Sequence, residues 1–208
     1  RQRQMCIRDR ALRMRHQNQL NRHLGADFEE LIGAACEYYR GRGVADIEKT
    51  PEEMKPIKNM GSGRFVAVYV NKAQADFKGF LRGGLAVNFE AKHTSTPRME
   101  QDRVTPEQAD RLERAFRYGA AAFVVCSFSG KDFFRVPWEV WRNMKARYGH
   151  KYITIQEAES FRITFGGPGV LLFLEGLEEK NNGVQKEEAG KDERRGTASG
   201  ARQDDCLG

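Results

Sequence analysis

The stretch LAVNFEAKHTS, residues 85–95, places Glu90 and Lys92 two residues apart in an otherwise apolar run. On a β-strand successive side chains alternate between faces, so Leu85, Val87, Phe89 and Ala91 share one face while Ala86, Asn88, Glu90 and Lys92 share the other. A carboxylate and an amine then project side by side. One chemistry that uses such a pair is phosphodiester hydrolysis, in which carboxylate oxygens hold a hard cation and an ammonium group orients water or supports developing charge. The same spacing also describes a half-exposed strand with alternating apolar and charged residues. The pair alone leaves both readings open, and the elements around it must decide.

Further candidates lie on both sides. Asp76 falls in QADFKGFLRGG, just ahead of the Glu90 strand, and Gly83-Gly84 make a natural turn between two short strands, which brings Asp76 near Glu90. Upstream, DFEELIGAACEYYR, Asp27 to Arg40, sets Phe28, Leu31, Ile32, Ala35, Cys36 and Tyr39 at helical spacing, with Gly41 and Gly43 as stops. At ~100° per residue Glu29 falls on the border of the apolar arc, leaning toward an interior cleft, while Glu30 and Glu37 point away. Downstream, VTPEQADRLERAFRYG offers Thr105 as N-cap and Pro106 as the first helical residue, with Gln108 on the inward side beside Leu112. Thr105 and Gln108 also match the T-x-x-Q capping box, in which the glutamine folds back to the backbone; capping and a place in a site are compatible in part. In chain order these residues have the layout of a metal-dependent phosphodiesterase: a helical Glu29, a strand-end Asp76, Glu90-x-Lys92, and Gln108 at the next helix start.

The remaining elements frame that constellation. Val44 to Lys49 reads as a first strand. MKPIK and RFVAVYV flank NMGSG and predict a projecting hairpin over 54–70. Lys55, Lys58, Arg64 and Lys72 decorate it, where they could meet phosphates or simply keep it soluble. AAAFVVCSF, apolar on both faces, predicts a strand covered from two sides; FFRV adds another strand, and PWEVWRNMKARYG a helix opened by Pro137. Trp138 and Trp141 are expected in the core or at a subunit contact rather than stacked on bases. His93, although beside Lys92, is expected as a surface histidine.

Composition bounds the rest. The 208 residues are 39% hydrophobic and 31% charged, enough for one domain with a core and loose ends. No run approaches the ~18–20 apolar residues of a membrane span, and no apolar segment follows the arginine-rich opening, so a soluble, cytoplasmic protein without a membrane partner is expected. The four cysteines are scattered, with neither C-x-x-C pairs nor histidines at zinc spacing, and predict reduced thiols. The net charge of +6 points to a polyanion. Residues 1–13, however, resemble translated sequencing-adaptor sequence. They carry five arginines against one aspartate, so a chain starting at Met14 has a net charge of +2. The expected organisation is a basic arm over 1–20 that is in part artefactual, a folded domain over 21–176, and a charged, disordered tail over 177–208.

From Asn21 to about Phe161 the sequence resembles the RecU Holliday-junction resolvases of the PD-(D/E)XK nuclease superfamily. The matching pieces are Asn21-Arg22, FEELIGAACEYYRGRG, the hairpin ending in ADFKG, FEAKHT, TPEQ and GAAAFVVCSF. The resemblance implies an α/β, restriction-endonuclease-like fold: a mixed β-sheet flanked by helices, with the hairpin as a stalk that enters the junction centre. It implies Asp76 and Glu90 as ligands of Mg²⁺, with Mn²⁺ able to substitute, Lys92 as the catalytic lysine, and Glu29 and Gln108 as supporting site residues. Lys55, Lys58, Arg64, Lys72 and Arg22 become expected DNA contacts. The implied function is resolution of four-way and other branched DNA by symmetric nicks from a homodimer, alongside other recombination proteins. A less selective repair or restriction nuclease, and a non-catalytic DNA-binding recombination factor, are the competing expectations.

Overall fold

The computed structural model describes residues 24–51, 54–69, 75–167 and 169–177. Helix α1 (24–41) is followed by strand β1 (Ala45–Lys49), a hairpin of β2 (Met54–Gly61) and β3 (Arg64–Tyr69), then β4 (Phe77–Leu81), β5 (Ala86–Thr94) and the short β6 (Arg98–Glu100). Helix α2 (Pro106–Arg117), β7 (Ala121–Phe128), β8 (Asp132–Pro137), helices α3 (Trp138–Arg142) and α4 (Met144–Tyr148), β9 (Tyr152–Thr154) and a last turn of helix, α5 (Ile155–Ala158), complete it. The chain divides into two compact units at Phe173/Leu174. Everything above lies in the first. Of the second, residues 174–177 are described, and there the Leu177 N–H donates to the Leu174 carbonyl.

Five strands form one mixed sheet in the order β1-β4-β5-β7-β8. Only the β5–β7 pair is parallel, and α2 is the crossover between them, while the other neighbours run antiparallel. This is the expected mixed sheet with helices on its faces. It also places β5 at the centre, covered on both sides, which excludes the half-exposed strand that the Glu-x-Lys spacing alone allowed.

A row of phenylalanines pins the register. Phe77, Phe89 and Phe123 are direct partners across β4, β5 and β7, and their rings stack at 5.0 and 4.8 Å. Helix α1 covers this face through buried Phe28, Ile32, Ala35 and Cys36, with Phe28 against Phe133 and Tyr39 edge-on to Phe173. Because strand side chains alternate, a slip of one residue would turn Glu90 and Lys92 into the aromatic layer. The opposite face carries the second core, where Leu112 of α2 and Trp138 and Trp141 of α3 pack on Val124, Cys126, Phe134 and Val136. The two tryptophans are thus core residues. Pro137 sits at the cap of α3 rather than inside it, and the expected single helix breaks at Asn143, whose φ of −101° and ψ of 16° leave the helical region. Cys36 and Cys126 are free and buried, and burial pushes the Cys36 thiol up to about 12. No helix among the described residues is long and apolar enough to cross a membrane.

Close approach of β1 to β4 requires Gly79. A Cβ there would strike the Asp46 carbonyl and the Ile47 Cα, both backbone atoms of β1. Gly79→Ala should therefore prise β1 from the sheet, at a cost of ~1–3 kcal/mol. A thermal midpoint equal to wild type would contradict this.

Candidate active site

The site forms on the second-core face of β5, at mid-strand, where the shorter β4 begins. Glu90 and Lys92 are register partners of buried Val124 and Cys126, so both polar heads stand against apolar neighbours. Glu90 is wholly buried and the Lys92 side chain is 14% exposed. Asp76 sits immediately before β4. The ladder from Phe77↔Phe89 onward carries it up to β5, where its Oδ2 accepts the Ala91 backbone N–H at 3.0 Å. Lys92 Nζ bridges the two acids, 2.8 Å from Glu90 Oε2 and 3.3 Å from Asp76 Oδ2.

Gln108 joins the same group, and it does so while capping α2. Its Oε1 accepts the Thr105 N–H at 3.1 Å and its own N–H donates to Thr105 Oγ1 at 3.3 Å, completing the capping box. Its Nε2 donates to Glu90 Oε2 at 2.5 Å. The cap fixes which way the amide points, because the oxygen is committed to the backbone and only the NH₂ end is left for the carboxylate. Helix α2 is held in turn by Glu113, which accepts the Trp138 indole N–H at 2.8 Å and the Arg142 guanidinium at 2.7 Å. Those two partners hold the Glu113 carboxyl down at about 2.

The electrostatics of the group are unbalanced, because two carboxylates share one ammonium. Burial raises the Glu90 carboxyl, Lys92 opposes it, and nearby Asp76 adds to the rise, leaving it at about 8. For Lys92 burial works against the charge, but the two carboxylates outweigh it and its pKa is raised. Glu90 Oε2 is committed to Lys92 and Gln108, whereas Oε1 is buried with no hydrogen-bond partner among the described residues. An unpaired buried carboxylate oxygen is costly. It suits a hard cation, and Mg²⁺ in particular takes one or two carboxylates and completes its shell with water and substrate oxygens. No group of three or more acidic, histidine or cysteine side chains that could hold a metal occurs among the described residues; the acids at this site are the pair Asp76 and Glu90, bridged by Lys92.

Glu29 is not in the cluster; its Oε2 pairs with Lys49 Nζ at 2.6 Å. It belongs to the same end of the sheet, because Thr50, next to Lys49, donates its N–H to the Asp76 carbonyl at 2.9 Å. Lys55, Lys58 and Arg64 are exposed on the hairpin, a two-stranded sheet of its own. Its turn carries positive φ at Gly61, Ser62 and Gly63. Arg22 and Lys72 lie outside the described residues. His93 departs from expectation: it is buried on the aromatic face, its Nδ1 3.1 Å from Ser127 Oγ. The reason is the central position of β5, which leaves neither face to solvent. Sequence reasoning also missed how much apolar surface the hairpin exposes, with Ile57 64%, Phe65 60% and Met60 58% accessible; an unbroken apolar run such as FVAVYV ordinarily signals burial.

Fold and site together define a class: α/β domains whose mixed sheet gathers two carboxylates and a lysine, one acid just before β4 and the other acid and the lysine on β5. The chain belongs to the RecU family, whose model, described as Recombination protein U, matches residues 23–179. Among curated relatives, the Holliday junction resolvase RecU of Streptococcus pneumoniae (strain Hungary19A-6) is 28% identical over 114 residues, 52% of this chain and 57% of that protein. The protein of the same name from Streptococcus gordonii (strain Challis) is 28% identical over 120 residues, 54% of this chain and 60% of that one. The chain thus spans little more than half the length of these relatives. Among solved structures, Hjc of Archaeoglobus fulgidus, a Holliday junction resolvase, is similar over 56% of this chain and 74% of that chain, with a TM-score of 0.34 and 14% identity.

Proposed function

We propose that Asp76, Glu90, Lys92 and Gln108 form the active centre of a Mg²⁺-dependent endonuclease that resolves four-way DNA junctions. The observation that carries this is the orphaned, buried Oε1 of Glu90 beside a second carboxylate and an ammonium. Membership of the RecU family supplies the substrate class, since its curated relatives bear the name Holliday junction resolvase.

Each residue has a task that follows from its contacts. Asp76 and Glu90 hold the divalent cation, Mg²⁺ or in its place Mn²⁺, through carboxylate oxygens. When bound, the cation would neutralise charge on the phosphoryl oxygens and lower the pKa of a water, which can then give up its proton to solvent and attack as hydroxide. Lys92 keeps one oxygen of each carboxylate occupied and presents its ammonium to the substrate, where it orients water or supports charge. Gln108 fixes the Glu90 rotamer, so that Oε1 is the oxygen on offer. Glu29 acts at a distance, steadying the β1 end behind Asp76 through Lys49. The hairpin over 54–70, with Lys55, Lys58 and Arg64, enters the junction, and Arg22 and Lys72 add phosphate contacts. A homodimer presents two such centres to opposite strands, working with other recombination proteins in the cytoplasm.

The test is direct. Incubated with labelled four-way junction or linear duplex of equal length, the protein should nick the junction at symmetric positions only when Mg²⁺ is present. Equal cutting of both substrates would favour a general nuclease. Binding without cutting under any divalent ion would favour a non-catalytic DNA-binding factor.

A further inference from the structure

A cleft of about 210 Å³ opens beside the acid–lysine group, lined by Ala75, Lys78, Asn88, Arg111 and Arg114. Its position follows from the crossover. Asn88, Glu90 and Lys92 alternate along one face of β5, and Lys78 is the register partner of Asn88 across β4. Because β5 and β7 are parallel, α2 must run back over β5. Gln108 at its first turn therefore reaches Glu90, and Arg111 and Arg114, one and two turns on, stand over Asn88. The step from Glu90 to Asn88 is two strand residues, ~3.3 Å each, which suits the step from one phosphate of a DNA strand to the next.

The charge of the cleft has one sign. Three cations and an amide line it, with no carboxylate among the lining residues. Two acids stand next to it: Asp110 meets Arg114 at 3.3 Å in a pair exposed by 60% and 68%, and such pairs bind weakly, while Glu48 of β1 is the register partner of Lys78. Glu113, the strong acid of α2, lies on the other flank and is taken by Trp138, Arg142 and Arg117. Guanidinium forks match phosphate oxygens in pairs, which a carboxylate-free cleft leaves open to them.

We propose that this cleft, through Arg111 and Arg114 with Asn88 and Lys78 at its floor, holds the backbone phosphate adjacent to the one presented to Glu90 and Lys92. The assignment rests on the phosphodiesterase reading of that group. It makes the site a two-phosphate grip on one strand, which sets the strand's direction across the catalytic residues.

The experiment uses binding in metal-free buffer, where no strand is cut. A single neutral methylphosphonate is walked along one strand of a four-way junction and of a linear duplex, and affinity is measured for wild type, Arg111→Ala, Arg111→Lys and Arg114→Ala. One position should weaken wild type about tenfold, the scale of one charge-assisted contact, and should not weaken Arg111→Ala further. The salt slope on duplex should fall by ~0.9 in Arg111→Ala and stay in Arg111→Lys. An unchanged slope in Arg111→Ala, or losses that add at every position, would overturn the proposal. Separate Mg²⁺ incubations distinguish the two readings. Coupling with no cutting leaves the phosphate site standing and removes the nuclease, while cutting with no coupling removes the phosphate site alone. Arg111 is half-buried and Arg114 exposed, and equal thermal midpoints will show that the variants fold.

Discussion

Glu90→Gln should raise the thermal midpoint of the metal-free protein while abolishing Mg²⁺-dependent cutting. The two effects have one cause. Wild type sets two carboxylates, a half-buried Asp76 and a wholly buried Glu90, against a single ammonium, and Glu90 carries the burden. Its carboxyl is raised to about 8 from an ordinary value of 4.5. A group whose folded pKa is raised keeps its proton in the folded protein after the unfolded chain has released it. The folded state is therefore favoured below about 4.5, and stability drains away as pH climbs toward 8. Glutamine cannot ionise, keeps the shape, and leaves Lys92 with Asp76 in a balanced pair. Wild type and variant should match below pH 4.5 and diverge above it, the variant gaining ~1–4 kcal/mol near the folded pKa.

The same substitution removes an oxygen donor of the proposed cation, so cutting should fall by about 10³-fold or more. The stabilisation that Mg²⁺ gives wild type should vanish with it. Lys92→Ala goes the other way in stability. It strands both carboxylates, at ~3–5 kcal/mol, and Mg²⁺ should restore part of the stability but not the cutting. Thermal unfolding across pH, with and without Mg²⁺, reads all of this. A Glu90→Gln variant less stable than wild type at about pH 8 would contradict the buried-charge account, and one that cuts at saturating Mg²⁺ would remove Glu90 from the site.

What was legible beforehand divides by range along the chain. The shared face of Glu90 and Lys92 follows from the two-residue period of a strand, and the Thr105–Gln108 cap from a four-residue pattern. Both appear as expected in the structure. Gln108 also shows why cap and site need not compete, since opposite ends of one amide serve each. Properties set by packing across the sheet were not legible. His93 reads as a surface residue because nothing local says that β5 is central, and Glu29 has a partner, Lys49, that only the pairing of α1 with the β1 end reveals. The stacked Phe77-Phe89-Phe123 row is invisible before the register is known, although it is what keeps the site on its face. The arginine cleft is similarly non-local, because it exists only once α2 runs back over β5.

Shortening the turn around Asn59 to Gly63 should weaken binding to a four-way junction far more than binding to linear duplex. Among the described residues the hairpin shares no ladder with the five-stranded sheet, so trimming its tip leaves Asp76, Glu90, Lys92 and Gln108 where they are. Its turn is built from a Gly61 N–H held by Asn59 Oδ1 at 2.8 Å and from left-handed residues at Gly61, Ser62 and Gly63, so a shorter loop must use a different turn rather than a smaller copy of this one. Exposed Lys55, Lys58 and Arg64 stand beside exposed Ile57, Met60 and Phe65, cations for phosphates next to apolar surface that can lie against unstacked bases. An intact duplex offers only the first of these partners, whereas the open centre of a junction offers both. Replacing the three cations together should therefore flatten the salt slope on either DNA by up to ~0.9 per lost contact, while the shortened loop should cost affinity chiefly on the junction. Gel shifts on junction and duplex of equal length across a salt series separate the two effects. Equal losses on both substrates from the shortened loop would leave the nuclease centre untouched and remove the hairpin as the element that recognises branched DNA.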